Sequence, residues 1–143
     1  MSYINQLSLK FSALSENESF ARLAVASFCS SKIKDLEGIS DIKTAVSEAV
    51  TNSIVHAYED SVGEIEINCK LFDTHIEIEV IDCGVGIPDI SMARKPFYSS
   101  KPDMERSGMG FAVMEGFMDK VLIQSELNKG TKITLIKEIK KSA

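Results

Sequence analysis

The chain has 143 residues, of which 44% are hydrophobic and 26% charged, a composition that predicts one soluble globular domain spanning residues 1–143. Its net charge of −5 would repel a polyanion, so direct nucleic-acid binding is not expected. The three cysteines stand at scattered spacings without a CxxC pair, which predicts neither a disulfide framework nor a zinc knuckle. No stretch approaches the roughly 18 apolar residues of a membrane helix and no signal peptide is evident, so we expect a cytoplasmic protein without a membrane partner.

The first part of the chain predicts a strand followed by a helix. Leu7, Leu9 and Phe11 alternate with polar residues, which is the period of a strand with one buried face. Ser15 and Glu18 have the spacing of a capping box that would open the helix. The helix is expected to bury the face that carries Phe20, Leu23, Ala24, Ser27 and Phe28 and to expose the face that carries Glu16, Ser19 and Arg22.

The segment from Asp41 to Tyr58 has the apolar periodicity of a second helix, with Asp41 as its N-cap. Residues 30–40 before it are expected to form a polar connection. Along the margin of the apolar face runs a polar stripe at i, i+4 and i+8, formed by Glu48, Asn52 and His56. A carboxylate and an amide at that margin lie where a core meets a cleft.

Two segments with strict alternation, residues 64–71 and 76–80, predict a β-hairpin that turns at Asp73 to His75. Glutamates at every second position disfavour a parallel sheet that is buried on both faces. They indicate an antiparallel sheet with one wet face. The fold class that we expect is therefore α+β, a two-layer sandwich of a mostly antiparallel sheet with helices packed on one face.

The last part of the chain predicts a helix and a second hairpin. A helix is expected to begin near Gly108, and strands at residues 120–125 and 131–139 are joined by a turn at Asn128 to Gly130. The basic residues near the C-terminus, Lys137, Lys140 and Lys141, are expected to form a solvated end.

Between the two hairpins, residues from about 87 to 107 show no sustained periodicity and predict a lid. This segment concentrates basic and hydroxyl side chains suited to phosphate: Arg94, Lys95, Ser99, Ser100, Lys101 and Arg106. Glycines flank it on both sides: Gly84 and Gly86 before it, Gly108 and Gly110 after it. Glycine lets backbone N–H groups approach a ligand, and a helix N-terminus adds further N–H donors. The pattern matches neither a Walker A loop nor a Rossmann fingerprint.

The order of these motifs resembles a known ATP-binding domain. An E-x-x-x-N helix, D-x-G-x-G from Asp82 to Gly86, a lid, G-x-G and then Gly130-Thr131 are similar to the domain shared by gyrase, heat-shock protein 90, histidine kinases and mismatch-repair ATPases. Within that superfamily, SEAVTNSIVHAYE and KPDMERSGMGFAVMEGFMD resemble the bacterial anti-sigma serine kinases, and most of all their sporulation branch. The resemblance covers nearly the whole chain and implies a Bergerat-type fold, in agreement with the one-sided alternation of the strands.

The resemblance also implies a role for each motif residue. Asn52 would hold Mg²⁺, whose other ligands are phosphate oxygens and water. Asp82 would accept a hydrogen bond from the adenine amino group, and Glu48 would take the proton from an attacking hydroxyl. That hydroxyl is water in the gyrase-like relatives and a serine of an antagonist protein in the anti-sigma kinases. His56 is expected to pack or cap near the helix end.

The complete set of residues that the resemblance predicts to bind ATP or ADP is Asn52, Asp82, Gly84, Gly86, Ile87, Lys101, Arg106, Ser107, Gly108, Met109, Gly110 and Thr131. Two stretches of the sequence depart from the family. Ser53 stands where many relatives have alanine, and Ser99-Ser100 stand where relatives often carry threonines. Both changes keep either size or hydroxyl character, so nucleotide binding is still expected.

The function implied is an ATP- and Mg²⁺-dependent protein serine kinase that binds and inhibits a sporulation sigma factor. It would phosphorylate a small antagonist protein, and the bound nucleotide would decide which partner it prefers. The first helix is the expected partner surface, with Glu16 and Arg22 as candidates, and the first strand would supply the edge for a homodimer. Two alternatives stay open: a general-stress anti-sigma kinase of the same family, and an ATP-gated binding module that transfers no phosphate.

Overall fold

The computed structural model describes residues 2–58, 62–87 and 110–140. These ranges form five strands and three helices: β1 (Asn5–Ser12), α1 (Glu16–Cys29), α2 (Leu36–Asn52), β2 (Glu64–Leu71), β3 (His75–Asp82), α3 (Gly110–Phe117), β4 (Lys120–Glu126) and β5 (Gly130–Glu138). A short π-helical turn, Ser53–Ala57, continues α2.

The strands form one sheet in the order β1-β2-β3-β5-β4, and each neighbouring pair is antiparallel. Burial alternates along the central strands: Ile76, Ile78 and Val80 of β3 are buried, whereas the intervening Glu77 and Glu79 are half-exposed. The buried face packs against the helices, and the other face meets solvent. The expected two-layer α+β sandwich is therefore confirmed.

The prediction for the buried face of α1 is wrong at Phe20 and Leu23, although Phe28 of the same predicted face does pack against the core. Phe20 and Leu23 are 56% and 51% exposed, whereas Ala21, Val25 and Cys29 are fully buried. The helix carries two overlapping apolar stripes, and the stripe with the smaller side chains faces α2, because small residues let two helices approach closely. The larger side chains are left on the solvent side as an apolar patch.

The predicted capping box at the start of α1 is also wrong. Ser15 has helical backbone angles, φ −54 and ψ −35, and its side chain makes no capping hydrogen bond. A capping serine ordinarily has an extended backbone, so that its hydroxyl can reach the N–H groups of the first turn. Glu18 is instead buried at 7% exposure and pairs with Arg22 one turn later at 3.7 Å.

The second helix begins earlier than predicted. Its N-cap is Asp35, whose extended backbone lets the carboxylate accept a hydrogen bond from the N–H of Gly38 at 3.0 Å. Asp41 lies inside the helix, where its carboxylate pairs with Lys137 Nζ at 3.1 Å and both side chains are less than a fifth exposed. Lys137 also donates to the carbonyl of Phe117 at 2.9 Å, so the prediction that it belongs to a solvated end is wrong.

The predicted second hairpin is confirmed as β4 and β5, with boundaries one residue from those expected. Its turn contains Asn128 at φ 63 and Gly130 at φ 115, the left-handed conformations that these two residue types tolerate best. Lys140 is exposed, and Lys141 lies outside the described residues.

All three cysteines are free thiols. Cys29 of α1 and Cys69 of β2 are buried together, with their Sγ atoms 3.8 Å apart. The hydrogen bond with Cys29 and burial both raise the pKa of the Cys69 thiol far above its ordinary value, so this sulfur stays protonated. Cys83 lies exposed after β3.

Candidate functional site

The polar stripe on α2 faces the start of α3. Glu48 and Asn52 are half-buried and lie one helical turn apart. A Cβ atom added at Gly110 would lie 3.3 Å from Glu48 Oε2, so the carboxylate reaches the first residue of α3. The fold therefore brings the E-x-x-x-N motif to the end of the second glycine motif, although the two are far apart in the sequence.

A π-helical turn begins directly after Asn52. It spans Ser53–Ala57 and contains His56, which is half-buried. Because a π-helix bonds each residue to the fifth along the chain, its residues do not continue the line of an α-helical stripe. His56 therefore does not continue the helix face that carries Glu48 and Asn52. Such turns occur frequently at functional sites, and apolar periodicity did not predict this one.

The carboxylate of Asp82 lies at the end of β3, beside the π-helical turn. The residue is only 3% exposed, and Oδ2 accepts a hydrogen bond from the hydroxyl of Ser53 at 2.8 Å. Oδ1 accepts a hydrogen bond from the backbone N–H of Gly84 at 3.0 Å. A carboxylate has about four lone-pair positions, so each oxygen keeps acceptor capacity for a ligand that donates.

The backbone after Asp82 packs tightly on the same turn. A Cβ atom at Gly84 would lie 2.2 Å from the carbonyl oxygen of Ala57 and 2.5 Å from its side chain. That carbonyl accepts a hydrogen bond from the N–H of Val85 at 2.9 Å. Glycine at position 84 is therefore required by close backbone approach, and the approach ties the D-x-G-x-G loop to the end of α2.

The side chain of Tyr58 also holds this loop through hydrogen bonds. The phenol oxygen accepts a hydrogen bond from the N–H of Cys83 at 2.9 Å and donates one to the carbonyl of Glu64 at 2.8 Å. Burial raises the pKa of Tyr58 above its ordinary value, and the negative charge of Asp82 acts in the same direction. The neutral phenol thus bridges the loop to the first residue of β2.

Glycines also allow the β4–β5 hairpin to approach this loop. Gly86 has φ 81, and a Cβ atom there would lie 2.5 Å from the carbonyl oxygen of Glu126. Gly130 has φ 115, and its Cβ atom would lie 2.1 Å from the carbonyl oxygen of Asp82. Both positions combine a positive φ with a close backbone approach, so any larger residue would push the two loops apart.

Thr131 lies directly opposite Asp82 in the β3–β5 register and is 5% exposed. Its hydroxyl is 2.9 Å from the hydroxyl of Ser125, which in turn accepts a hydrogen bond from the N–H of Ile87 at 2.7 Å. Thr131, Ser125 and Ile87 therefore form one hydrogen-bonded group at the side of the Asp82 carboxylate.

The structure thus gathers eight of the residues expected at the site: Glu48, Asn52, Asp82, Gly84, Gly86, Ile87, Gly110 and Thr131. The predicted residues that lie outside the described ranges are Lys101, Arg106, Ser107, Gly108 and Met109, together with nearly all of the expected lid. Sequence reasoning missed three contributing hydroxyls: those of Ser53, Tyr58 and Ser125. The signal for Ser53 is its place directly after the E-x-x-x-N motif; the other two residues carry none.

The donor set also bears on metal binding. Asn52 offers an amide oxygen, a ligand type that a hard cation such as Mg²⁺ accepts. Among residues 2–58, 62–87 and 110–140, no three His, Cys, Asp or Glu side chains cluster in a way that would hold a metal ion. The described residues therefore fit a cation whose remaining ligands come from phosphate and water, and they do not form an all-protein metal cage.

The fold and the site together can now be compared with known proteins. The family described as "Histidine kinase-like ATPase domain" matches this chain over residues 11–137. A crystal structure of the RsbU and RsbW domains of a Mycobacterium tuberculosis protein is similar in fold, with a TM-score of 0.70 and 22% identity. That match covers 97% of this chain and 34% of the mycobacterial one.

Named relatives identify a subgroup within this family. The chain is 54% identical to the anti-sigma F factor of Clostridium acetobutylicum, over 94% of each chain. It is 51% identical to the anti-sigma F factor of Geobacillus kaustophilus, over 96% of this chain and 95% of that one. The chain therefore belongs to the histidine kinase-like ATPase domain family and, within it, to the anti-sigma F factors. Nucleotide binding follows from the domain.

No helix in the described part of the chain combines the length and apolar character needed to cross a membrane.

Proposed function

We propose that this chain is an ATP- and Mg²⁺-dependent protein serine kinase that binds and inhibits a sporulation sigma factor and phosphorylates a small antagonist protein on serine. The relatives' name, anti-sigma F factor, supports the sigma-factor partner. The observation that carries the enzymatic part is the position of Glu48. Its carboxylate lies one turn from Asn52 and reaches Gly110 at the start of α3.

Adenine would be recognised at Asp82. The buried carboxylate accepts hydrogen bonds, so it favours a base with an exocyclic amino group at the contact position. Guanine presents a carbonyl oxygen at that position. Two hydrogen-bond acceptors would then face each other, which disfavours guanine. The Thr131–Ser125–Ile87 group would support the base from the side. Base selectivity would thus depend on one charged side chain in a site that excludes water.

The phosphates would lie between Asn52 and the first turn of α3. The start of that helix offers backbone N–H groups and a positive dipole end, and Gly110 leaves space there for close approach. Asn52 would hold Mg²⁺ through its amide oxygen. The metal would neutralise charge on the phosphate oxygens during transfer.

Glu48 would act as the general base. The serine Oγ of the antagonist attacks the γ-phosphorus while the bond from that phosphorus to the oxygen of ADP breaks. The serine proton passes to the Glu48 carboxylate, and ADP leaves with the bonding electron pair. The partner must therefore present its serine at the α2–α3 junction, where Glu48 lies.

The partner surface is proposed to lie on α1. Phe20 and Leu23 are more than half exposed, and charged Glu16 and half-exposed Arg22 lie on the same helix. An apolar patch rimmed by charges is typical of a protein-binding surface. A homodimer is proposed to form through β1, which lies at one edge of the sheet and pairs with β2 on its inner side.

The test is incubation of the full chain with γ-labelled ATP, Mg²⁺ and candidate antagonist proteins, followed by phosphoamino-acid analysis. We expect phosphoserine on one antagonist. Glu48→Gln should lower the transfer rate by about 10²–10⁴-fold while ATP still binds. Asn52→Ala should lose Mg²⁺-dependent nucleotide affinity. Glu77→Gln, a half-exposed carboxylate on the open sheet face, is the matched control and should transfer phosphate normally.

The outcomes separate the alternatives. Transfer at the wild-type rate by Glu48→Gln would remove Glu48 from the base role. Sigma-factor binding without any transfer would indicate an ATP-gated binding module. Preference for the sigma factor and antagonist of the general stress response would indicate the general-stress branch of the family.

A further inference from the structure

We infer that Ser53 is a positioning residue that sets base selectivity, because its hydroxyl holds the Asp82 carboxylate in the orientation that an exocyclic amino group requires. The inference rests on the proposed recognition of adenine by Asp82. It assigns a function to a hydroxyl that no motif contains.

The hydrogen bond between the two side chains is buried. Ser53 is 1% exposed, Asp82 is 3% exposed, and Ser53 Oγ donates to Asp82 Oδ2 at 2.8 Å. A hydrogen bond to an ionised acceptor is about twice as strong as one between neutral groups. Because both side chains are almost fully buried, removal of the hydroxyl takes this donor away from Oδ2.

The second carboxylate oxygen is held from a different direction, since Asp82 Oδ1 accepts the N–H of Gly84 at 3.0 Å. The terminal torsion of aspartate is intrinsically broad, so one donor leaves the plane of the carboxylate free to rotate. Two donors at the two oxygens define that plane. Ser53 therefore supplies the second constraint on the direction of the remaining lone pairs.

The donor itself is held in place by the π-helical turn. Ser53 is the first residue of that turn, and its last residue, Ala57, accepts the N–H of Val85 at 2.9 Å. Hydrogen bonds therefore join both ends of the turn to the segment from Asp82 to Val85. A rotation of the carboxylate would separate it from the hydroxyl, because the backbone that carries the hydroxyl is attached to the same loop.

Removal of the hydroxyl should weaken recognition of the amino group in particular. Ser53→Ala leaves the carboxylate with one protein donor and a freer plane, so ATP should bind about five- to tenfold more weakly. Purine riboside triphosphate, which lacks the amino group, should lose much less affinity. The ratio of the two affinities reports the alignment of Asp82. A general loosening of the fold would weaken the binding of both nucleotides and leave this ratio unchanged.

The experiment measures the dissociation constants of ATP and purine riboside triphosphate by calorimetry for the full-length wild type and Ser53→Ala. The matched control is Thr44→Ala, which removes a hydroxyl that bonds to a carbonyl within the same helix, away from Asp82. We expect the wild-type and control ratios to agree, at about tenfold or more in favour of ATP, and the Ser53→Ala ratio to be at least about threefold lower. A smaller fall in the ratio overturns the inference, even if both nucleotides bind more weakly.

A second pair of variants keeps the test decisive if Ser53→Ala does not fold. Ser53→Thr and Ser53→Val have nearly equal volume and differ in the presence of the hydroxyl, so the threonine variant should keep the higher ratio. Equal ratios in this pair also overturn the inference. Failure of the proposed adenine recognition looks different, because the wild type itself would then bind the two nucleotides equally.

Discussion

Gly84 is predicted to tolerate a single added methyl group poorly. In Gly84→Ala the new Cβ atom would lie 2.2 Å from the carbonyl oxygen of Ala57 and 2.6 Å from its carbonyl carbon. These are backbone atoms of the π-helical turn, so no flexible side chain can move aside. Overpacking of this kind costs about 1–3 kcal/mol. The bond from Val85 to the same carbonyl, now 2.9 Å long, would be displaced at a further cost of about 0.5–1.5 kcal/mol.

The matched control is Gly116→Ala in α3. A Cβ atom at Gly116 has no neighbouring heavy atom within 4 Å. Alanine in a helix is favoured over glycine by about 0.5–1 kcal/mol, so this variant should be slightly more stable than the wild type. The two substitutions add the same methyl group, and the structure predicts opposite signs for the change in the free energy of unfolding.

The free energy of unfolding is measured by urea denaturation followed by circular dichroism, since the chain contains no tryptophan. Gly84→Ala should lose about 2–4 kcal/mol, which lowers the urea midpoint by about 1–2 M. The displaced loop carries the N–H that holds Asp82, so ATP affinity should also fall by about tenfold or more. A loss below about 0.5 kcal/mol with unchanged ATP affinity would show that the loop does not pack on the turn as described.

Three further predictions concern the ion pair of β5, the Tyr58 bridge and the accessible thiol. Lys137→Met should lower the free energy of unfolding by about 2–3 kcal/mol, because it removes the partner of the largely buried Asp41 carboxylate. This value lies between those of an exposed and a fully buried ion pair. An unchanged midpoint of urea denaturation would contradict the prediction. Tyr58→Phe should cost about 1–3 kcal/mol at neutral pH. The difference in stability between the wild type and Tyr58→Phe should shrink as pH rises above 10.0, the ordinary pKa of a phenol. The pKa of Tyr58 is raised in the folded chain, so the unfolded chain loses this proton first and the wild type loses stability there. Cys83 should react rapidly with a thiol reagent, while the two buried cysteines react only after unfolding. Three equally fast thiols would contradict the described burial.

The sheet could be predicted from the chain because its signal is local. Side chains in a strand alternate with a period of two, so β2 and β3 show their buried and wet faces in any correct register. Glutamates between the apolar residues then decide between an antiparallel sheet covered on one side and a parallel sheet covered on both. The fold class follows from those residues without knowledge of any tertiary contact.

Helix faces and helix ends were less predictable. The apolar residues of α1 form two overlapping stripes, and packing against α2 selects the stripe with Ala21 and Val25 over the one with Phe20. Asp35 and Asp41 are both acceptable caps by residue type. The cap is Asp35, because its extended backbone lets the carboxylate accept the N–H of Gly38 at 3.0 Å. Sequence patterns alone do not contain these choices.

The functional site divides in the same way. Glu48, Asn52, Asp82 and the glycines were predicted from the sequence, through motifs that resemble those of a known ATP-binding domain. Ser53 bonds to a residue 29 positions away and Tyr58 to one 25 positions away, and both contacts require the π-helical turn at the end of α2. Hydrophobic periodicity predicted the helix that carries Glu48 and Asn52, but it does not predict a local change in backbone hydrogen bonding. The residue types therefore predicted the chemistry of the candidate site, whereas tertiary packing decided the alignment of its carboxylate.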